Sequence, residues 1–198
     1  ITMSFEVLSI FLSFIFGLAF VFYLRRFDQY EKEPYLKMVI ATLIGGVVSI
    51  FVCSILYIVL DRTPLAVIET RSMIGSLLII GPVEEVAKFV GLLAAWPFIK
   101  REVNEINDGL VYMACVALGF SLIENYSYAI ANPDSHYLLY YRLFITSPGH
   151  ITDSLFIGMA FYRFKVKGAN KSIILYALVW SSLLHGLYDG FIFEGYGI

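Results

Sequence analysis

Glu84 and Glu85 stand side by side inside a long apolar stretch, and Glu124, His150 and His185 stand inside three others. An ionisable group near the centre of a bilayer costs about 2.5–3.5 kcal/mol on insertion scales, so its presence asks for a function. Carboxylates and imidazoles in such a place can do two kinds of hydrolytic chemistry. In one, Glu84 or Glu85 is a general base that takes a proton from a water attacking a peptide carbonyl, while imidazole or amide donors stabilise the oxyanion. In the other, Glu124, His150 and His185 ligate a divalent metal such as zinc that activates the water, leaving Glu84 or Glu85 as the base. The same groups could instead build a proton- or cation-coupled transport path, or do no more than join helices.

Neighbours in sequence supply supporting groups. On a helix, Glu84 and Glu85 point about 100° apart, so one can face a cavity while the other braces it. Lys88 follows Glu84 by four and Glu85 by three and can pair with either. His185 and Asp189 share one helix face, so Asp189 can orient the imidazole; His150 and Asp153 are similarly placed, with Asp153 expected as a bystander. Asn125, beside Glu124, can donate to a carbonyl. Asp108, in Asn107-Asp108-Gly109, reads as a helix N-cap and as a further supporting residue. Tyr126, Tyr128 and Tyr188 are candidates to line a cavity, and Glu6, Asp134 and Glu194 receive no role. The chain has no Gly-x-Ser-x-Gly elbow and no His-Glu-x-x-His, and neither Cys53 nor Cys115 has a base beside it, so the common nucleophile and zinc signatures are missing.

These residues need membrane helices to carry them. The 198 residues are 59% apolar and 15% charged, against about 45–50% and 25% in soluble domains. A net charge of −2 excludes a basic nucleic-acid binder on bulk electrostatics, and two cysteines in apolar runs exclude a disulfide scaffold. A membrane-spanning helix needs about 20 apolar residues. Six stretches qualify: residues 5–24, 34–60, 72–99, 109–131, 137–162 and 172–193. Gly81-Pro82 interrupts the third, which can be read as two short helices, giving about six to seven spans. Pro148-Gly149 marks a second break, in the fifth. Breaks at that depth require protein or water to satisfy the freed backbone groups.

At 1.5 Å rise per residue, Glu84, Glu85, Glu124, His150 and His185 fall in a slab ~6 Å thick, displaced toward one face, where they can converge on one cavity. Ten basic residues follow the first, third and fifth stretches, and three (Arg62, Arg71, Arg142) lie opposite. The positive-inside bias puts the larger group in the cytoplasm and the N-terminus outside. The first stretch lacks the leader and cleavage site of a signal peptide, and Met3 reads as the natural start. The expectation is an all-α, polytopic transmembrane helical bundle, one domain over residues 1–198, multi-pass in the cell membrane, with a polar catalytic cavity open to the outer face.

Four motifs in order resemble the PrsW family of bacterial membrane proteases over about residues 20–190. Pro82-Val83-Glu84-Glu85-Val86-Ala87-Lys88 is similar to its Glu-Glu-x-x-Lys motif. The stretch from Asp108 to Asn125 is similar to Asp-Gly-x-x-Tyr followed by Gly-Phe-x-x-x-Glu-Asn. His150 supplies the single histidine of the next span, and His185-Gly186-Leu187-Tyr188-Asp189 resembles His-Gly-x-x-Asp. The family is distantly similar to CAAX-type prenyl-protein and bacteriocin-processing proteases. Relative to those, Lys88 stands one position early in place of Arg, Glu124 replaces His and Asp189 replaces Asn. The resemblance implies a peptidase in which Glu84 or Glu85 activates water with help from His185. It implies as substrate a membrane-anchored protein such as an anti-sigma factor, cut on its extracytoplasmic side. Family members carry further C-terminal span material, so a chain ending at Ile198 reads as either a truncated or a minimal form.

Overall fold

The structure is a computed structural model. It describes residues 5–27 and 31–195, without the side chains of residues 5, 6, 9, 10 and 27. The expected start at Met3 and the Glu6 side chain lie outside the described residues. Every long element is a helix: α1 (Phe5–Phe27), α2 (Tyr35–Leu60), α3 (residues 73–99), α4 (Ile106–Ala131), α5 (residues 136–165) and α6 (Ser172–Phe193). The apolar stretches read from the sequence thus become helices, with ends shifted by a few residues. A short 3-10 turn, Pro64–Val67, lies in the connection from α2 to α3.

Three helices contain a π turn: Ala41–Gly45 in α2, Ser76–Ile80 in α3 and Arg142–Thr146 in α5. Two of these end two residues before a proline, at Gly81-Pro82 and Ser147-Pro148. Proline has no N–H to give to the α ladder and its ring collides with the preceding turn; a wider i→i+5 turn absorbs both problems without ending the helix. The reading of α3 as two short helices is therefore corrected to one helix with a π turn. Buried hydroxyls take up the loosened carbonyls. Ser147 Oγ donates to Arg142 O at 3.0 Å, and Ser49 Oγ donates to Gly45 O at 2.6 Å. A break at membrane depth would require internal satisfaction of this kind.

α4 is the central post. Every residue from 111 to 121 is buried, as expected of a helix that is apolar all round and surrounded by others. Successive helices return alongside one another. Tyr162 Oη donates to Asn104 O at one end, and Met73 N donates to Glu194 Oε1 at the other. Small residues let the backbones approach closely. A Cβ on Gly158 of α5 would stand 2.3 Å from Gly109 O of α4, and one on Gly81 of α3 would stand 2.2 Å from Ser182 O of α6.

α2 and α4 are long and apolar enough to cross a membrane. The ionisable groups on α3 (Glu84, Glu85, Lys88), α5 (Arg142, His150, Asp153) and α6 (His185, Asp189) lower the apolarity of those helices. Large apolar side chains nevertheless remain exposed outside the bundle, among them Phe11, Phe14, Leu43, Phe51, Leu175 and Trp180.

The α4–α5 crossing provides a test. Gly158→Val puts side-chain atoms against the Gly109 backbone and should destabilise the protein by roughly 1–3 kcal/mol or more. Gly149→Ala meets only Tyr188 ring carbons, the nearest at 3.8 Å, and should be neutral or slightly stabilising. Thermal unfolding in detergent distinguishes the two.

Candidate active site

Four helices bring the ionisable residues together. α3 contributes Glu84, Glu85 and Lys88 just after its π turn; α4 contributes Glu124 and Asn125; α5 contributes His150 and Ser154; α6 contributes His185 and Asp189. The close approach of α3 and α6 at Gly81 and Gly186 sets Glu85 and His185 within reach of one another.

Lys88 is the hub. It is fully buried. Its Nζ lies 2.7 Å from Glu85 Oε1, 3.2 Å from His150 Nδ1, 3.3 Å from His185 Nδ1 and 4.8 Å from the centre of the Phe120 ring. Removing an ammonium from water costs several kcal/mol, which only close partners offset. Here one carboxylate, two imidazoles and a ring face surround it.

The adjacent carboxylates differ in what they touch. Glu85 engages both oxygens: Oε1 meets Lys88 and, at 2.8 Å, His185 Nδ1, while Oε2 accepts from Ser154 Oγ at 2.7 Å. Glu84 Oε2 is buried without a hydrogen-bond partner, and so is His185 Nε2. These two atoms are 3.3 Å apart. Asp189 Oδ2 comes within 3.4 Å of the same nitrogen, and His150 Nδ1 lies 3.9 Å from Glu84 Oε2.

Glu124 is held separately. Its Oε2 lies 2.9 Å from His150 Nε2 and accepts from Arg142 Nη2 at 2.6 Å. Arg142 Nε donates to Asn125 Oδ1 at 2.9 Å, and Asn125 Nδ2 donates to Ser147 Oγ at 2.9 Å. The Arg142 guanidinium lies 3.7 Å over the Tyr128 ring. Arg142 is 8% exposed, so reading it as a loop charge that sets topology is corrected. The π turn that begins at Arg142 adds one residue to the helical count, so its spacing from His150 does not show which way that side chain faces.

A cavity of about 750 Å³ reaches this cluster. Glu84, Glu124, Arg142, His150 and Asp189 lie on its wall, and Asp61, Arg71 and Asn132 of the 61–72 and 131–136 connections lie at its mouth. Tyr128 lines it, whereas Tyr126 is exposed, and Tyr188 donates to Thr146 Oγ1 at 3.2 Å. Asp153 is half-buried and off the cavity wall. Asp108 does not support the site. It lies sixteen residues before Glu124, ~24 Å along the helix. Its Oδ2 accepts from Asn104 N and Glu105 N in a capping box whose N-cap is Glu105. The N-cap reading of Asp108 is corrected accordingly.

The residues fit a divalent metal. Ligand atoms of Glu84, His150 and His185 all lie within 4.8 Å of one another. Two tetrahedral zinc ligands, each about 2.0–2.1 Å from the ion, stand about 3.3–3.4 Å apart, which matches the separation of the two unpartnered atoms. The sequence names Glu124 as the carboxylate of this set. The structure gathers Glu84 there instead, because Arg142 and His150 already engage Glu124.

A carboxylate oxygen without a hydrogen-bond partner, beside imidazoles and reached by a cavity, is an arrangement suited to hydrolysis. The chain belongs to the PrsW family: the profile described as "PrsW family intramembrane metalloprotease" matches residues 33–197. Protease PrsW of Bacillus subtilis is 32% identical over 178 residues, covering 87% of this chain and 77% of that protein. Protease PrsW of Geobacillus kaustophilus is 31% identical, covering 87% and 74%, and that of Clostridioides difficile 28%, covering 85% and 72%. No solved structure gives a significant match.

Lys88 offers the sharpest energetic test. Lys88→Met strands the Glu85 carboxylate and should cost about 3–5 kcal/mol. Adding Glu85→Gln removes the stranded charge and should recover part of that loss. Thermal midpoints in one detergent measure both steps.

Proposed function

We propose that this protein is a multi-pass membrane peptidase that hydrolyses a peptide bond in a membrane-anchored protein, with Glu84 as the base at the inner end of the cavity. The observation that carries this reading is the pair of buried, unpartnered atoms, Glu84 Oε2 and His185 Nε2, 3.3 Å apart beside that cavity. A water entering from the mouth finds an acceptor at Glu84. Glu84 takes its proton as the oxygen attacks the substrate carbonyl and returns the proton to the leaving amine. Glu85 has no free oxygen for this; it orients His185 through Nδ1, with Asp189 near the other nitrogen. His150, braced by Glu124, and His185 lie beside Glu84 and assist by shaping the place where the carbonyl is attacked. Glu84, His150 and His185 could instead hold a divalent metal such as zinc, with Glu84 then a ligand in place of the base; the metal would polarise the carbonyl and make the water more acidic.

The exposed apolar coat and the six long helices support six membrane passes, and the excess of basic residues after the first, third and fifth of them supports an N-terminus outside. The 61–72 and 131–136 connections then lie on the extracytoplasmic side, where the cavity opens. The family resemblance supports an anti-sigma-factor-like substrate cut on that side. Membership of a protease family favours hydrolysis over the transport alternative.

Glu84→Gln should lower cleavage of a single-pass substrate by roughly 10²–10⁴-fold and leave the thermal midpoint near that of the wild type. Glu85→Gln should lower both. Full activity of Glu84→Gln in reconstituted membranes would refute the assignment. Elemental analysis of the purified protein should find one divalent ion per chain, with Glu84→Ala and His185→Ala each losing it.

A further inference from the structure

Arg142 lies within the site without touching Glu84, His185 or Lys88, and the reaction above assigns it no step. Its contacts have one feature in common. Nη2 donates to Glu124 Oε2 at 2.6 Å, and that same oxygen lies 2.9 Å from His150 Nε2. Nε donates to Asn125 Oδ1, the residue next to Glu124 on α4, and the guanidinium plane rests on Tyr128, one turn further on. Arg142 therefore clamps one turn of α4 from α5. Ser147 secures the base of the clamp by bonding Arg142 O and accepting from Asn125.

We propose that Arg142 is a positioning residue that holds Glu124 so that its carboxylate sets the ring orientation and tautomer of His150. A carboxylate held at His150 Nε2 requires the proton on that nitrogen. Nδ1 is then left as the acceptor, facing the Lys88 ammonium at 3.2 Å and Glu84 beyond it. Without the guanidinium, Glu124 is free to turn toward the cavity water, and the imidazole can flip. Arginine suits the task because its fork reaches Glu124 and Asn125 together, which a lysine cannot do. Outer partners of this kind typically change activity by 10–100-fold when removed.

This inference rests on the peptidase reading for its kinetic part alone. The chain has 3 histidines, so nitrogen NMR of the ¹⁵N-histidine-labelled full chain in lipid nanodiscs can resolve each ring. In the wild type, His150 should show a protonated Nε2 and an unprotonated Nδ1. Arg142→Gln should lose that signature and lower kcat by roughly 10–100-fold, with KM within about threefold. Arg142→Lys should keep the signature and retain more activity than Arg142→Gln. A folded Arg142→Gln with the wild-type His150 spectrum overturns the proposal, as does a folded Arg142→Lys that keeps the spectrum but is as inactive as Arg142→Gln. Should Arg142→Gln fail to fold, Glu124→Gln must lose the same signature, and its retention overturns the proposal. A wild type that cleaves nothing would refute the peptidase reading while the spectra still decide the role of Arg142.

Discussion

The arrangement depends on one buried cation. Lys88 carries an ammonium into a place where water cannot solvate it, and the structure answers by bringing Glu85, His150 and His185 to within hydrogen-bonding distance. Those partners come from three helices, so a single charge fixes α3, α5 and α6 at one point. The backbone has to permit this approach. α3 and α6 meet at Gly81 and Gly186, where a Cβ would collide with backbone, and α4 and α5 meet at Gly109 and Gly158 in the same way. Small residues thus set the distances that the ammonium then requires.

The division between the two adjacent glutamates follows from that charge. The carboxylate that pairs with Lys88 becomes structural, because its oxygens are taken by the ammonium, an imidazole and the Ser154 hydroxyl. Its neighbour points about 100° away and is left with a buried oxygen that nothing satisfies. Buried polar atoms are rarely left so. An orphaned oxygen next to an orphaned imidazole nitrogen is the kind of place where a water or an ion belongs, and the cavity supplies the route to it. Glu124 follows a different course, since Arg142 neutralises it from across the α4–α5 contact.

Much of this is legible in the chain itself. The ends of α6 and the C-terminal end of α2 follow directly from the apolar runs, and the crowding of Glu84, Glu85, Glu124, His150 and His185 at a similar depth follows from helical rise. Helix rotation was not legible. Each π turn inserts one residue and turns the downstream face by about 100°, and sequence periodicity does not mark where that happens. This is why Arg142 reads as a surface charge although it is buried. Pro148, two residues after that π turn, is the signal the chain offers, and in sequence it reads only as a break. Asp108 shows a different limit: a capping box and a site carboxylate look alike until the length of α4 separates them. Glu84 rather than Glu124 joins the two histidines for a reason no spacing rule contains, namely which carboxylate Arg142 has already taken.

Lys88 engages Glu85 and leaves Glu84 free to act. An experimental structure in lipid that resolves side chains and bound solvent tests this most directly. Lys88 should bridge Glu85, His150 and His185, with water or metal density against Glu84 Oε2 and His185 Nε2. Lys88 paired with Glu84, and Glu85 turned into the cavity in its place, would contradict it.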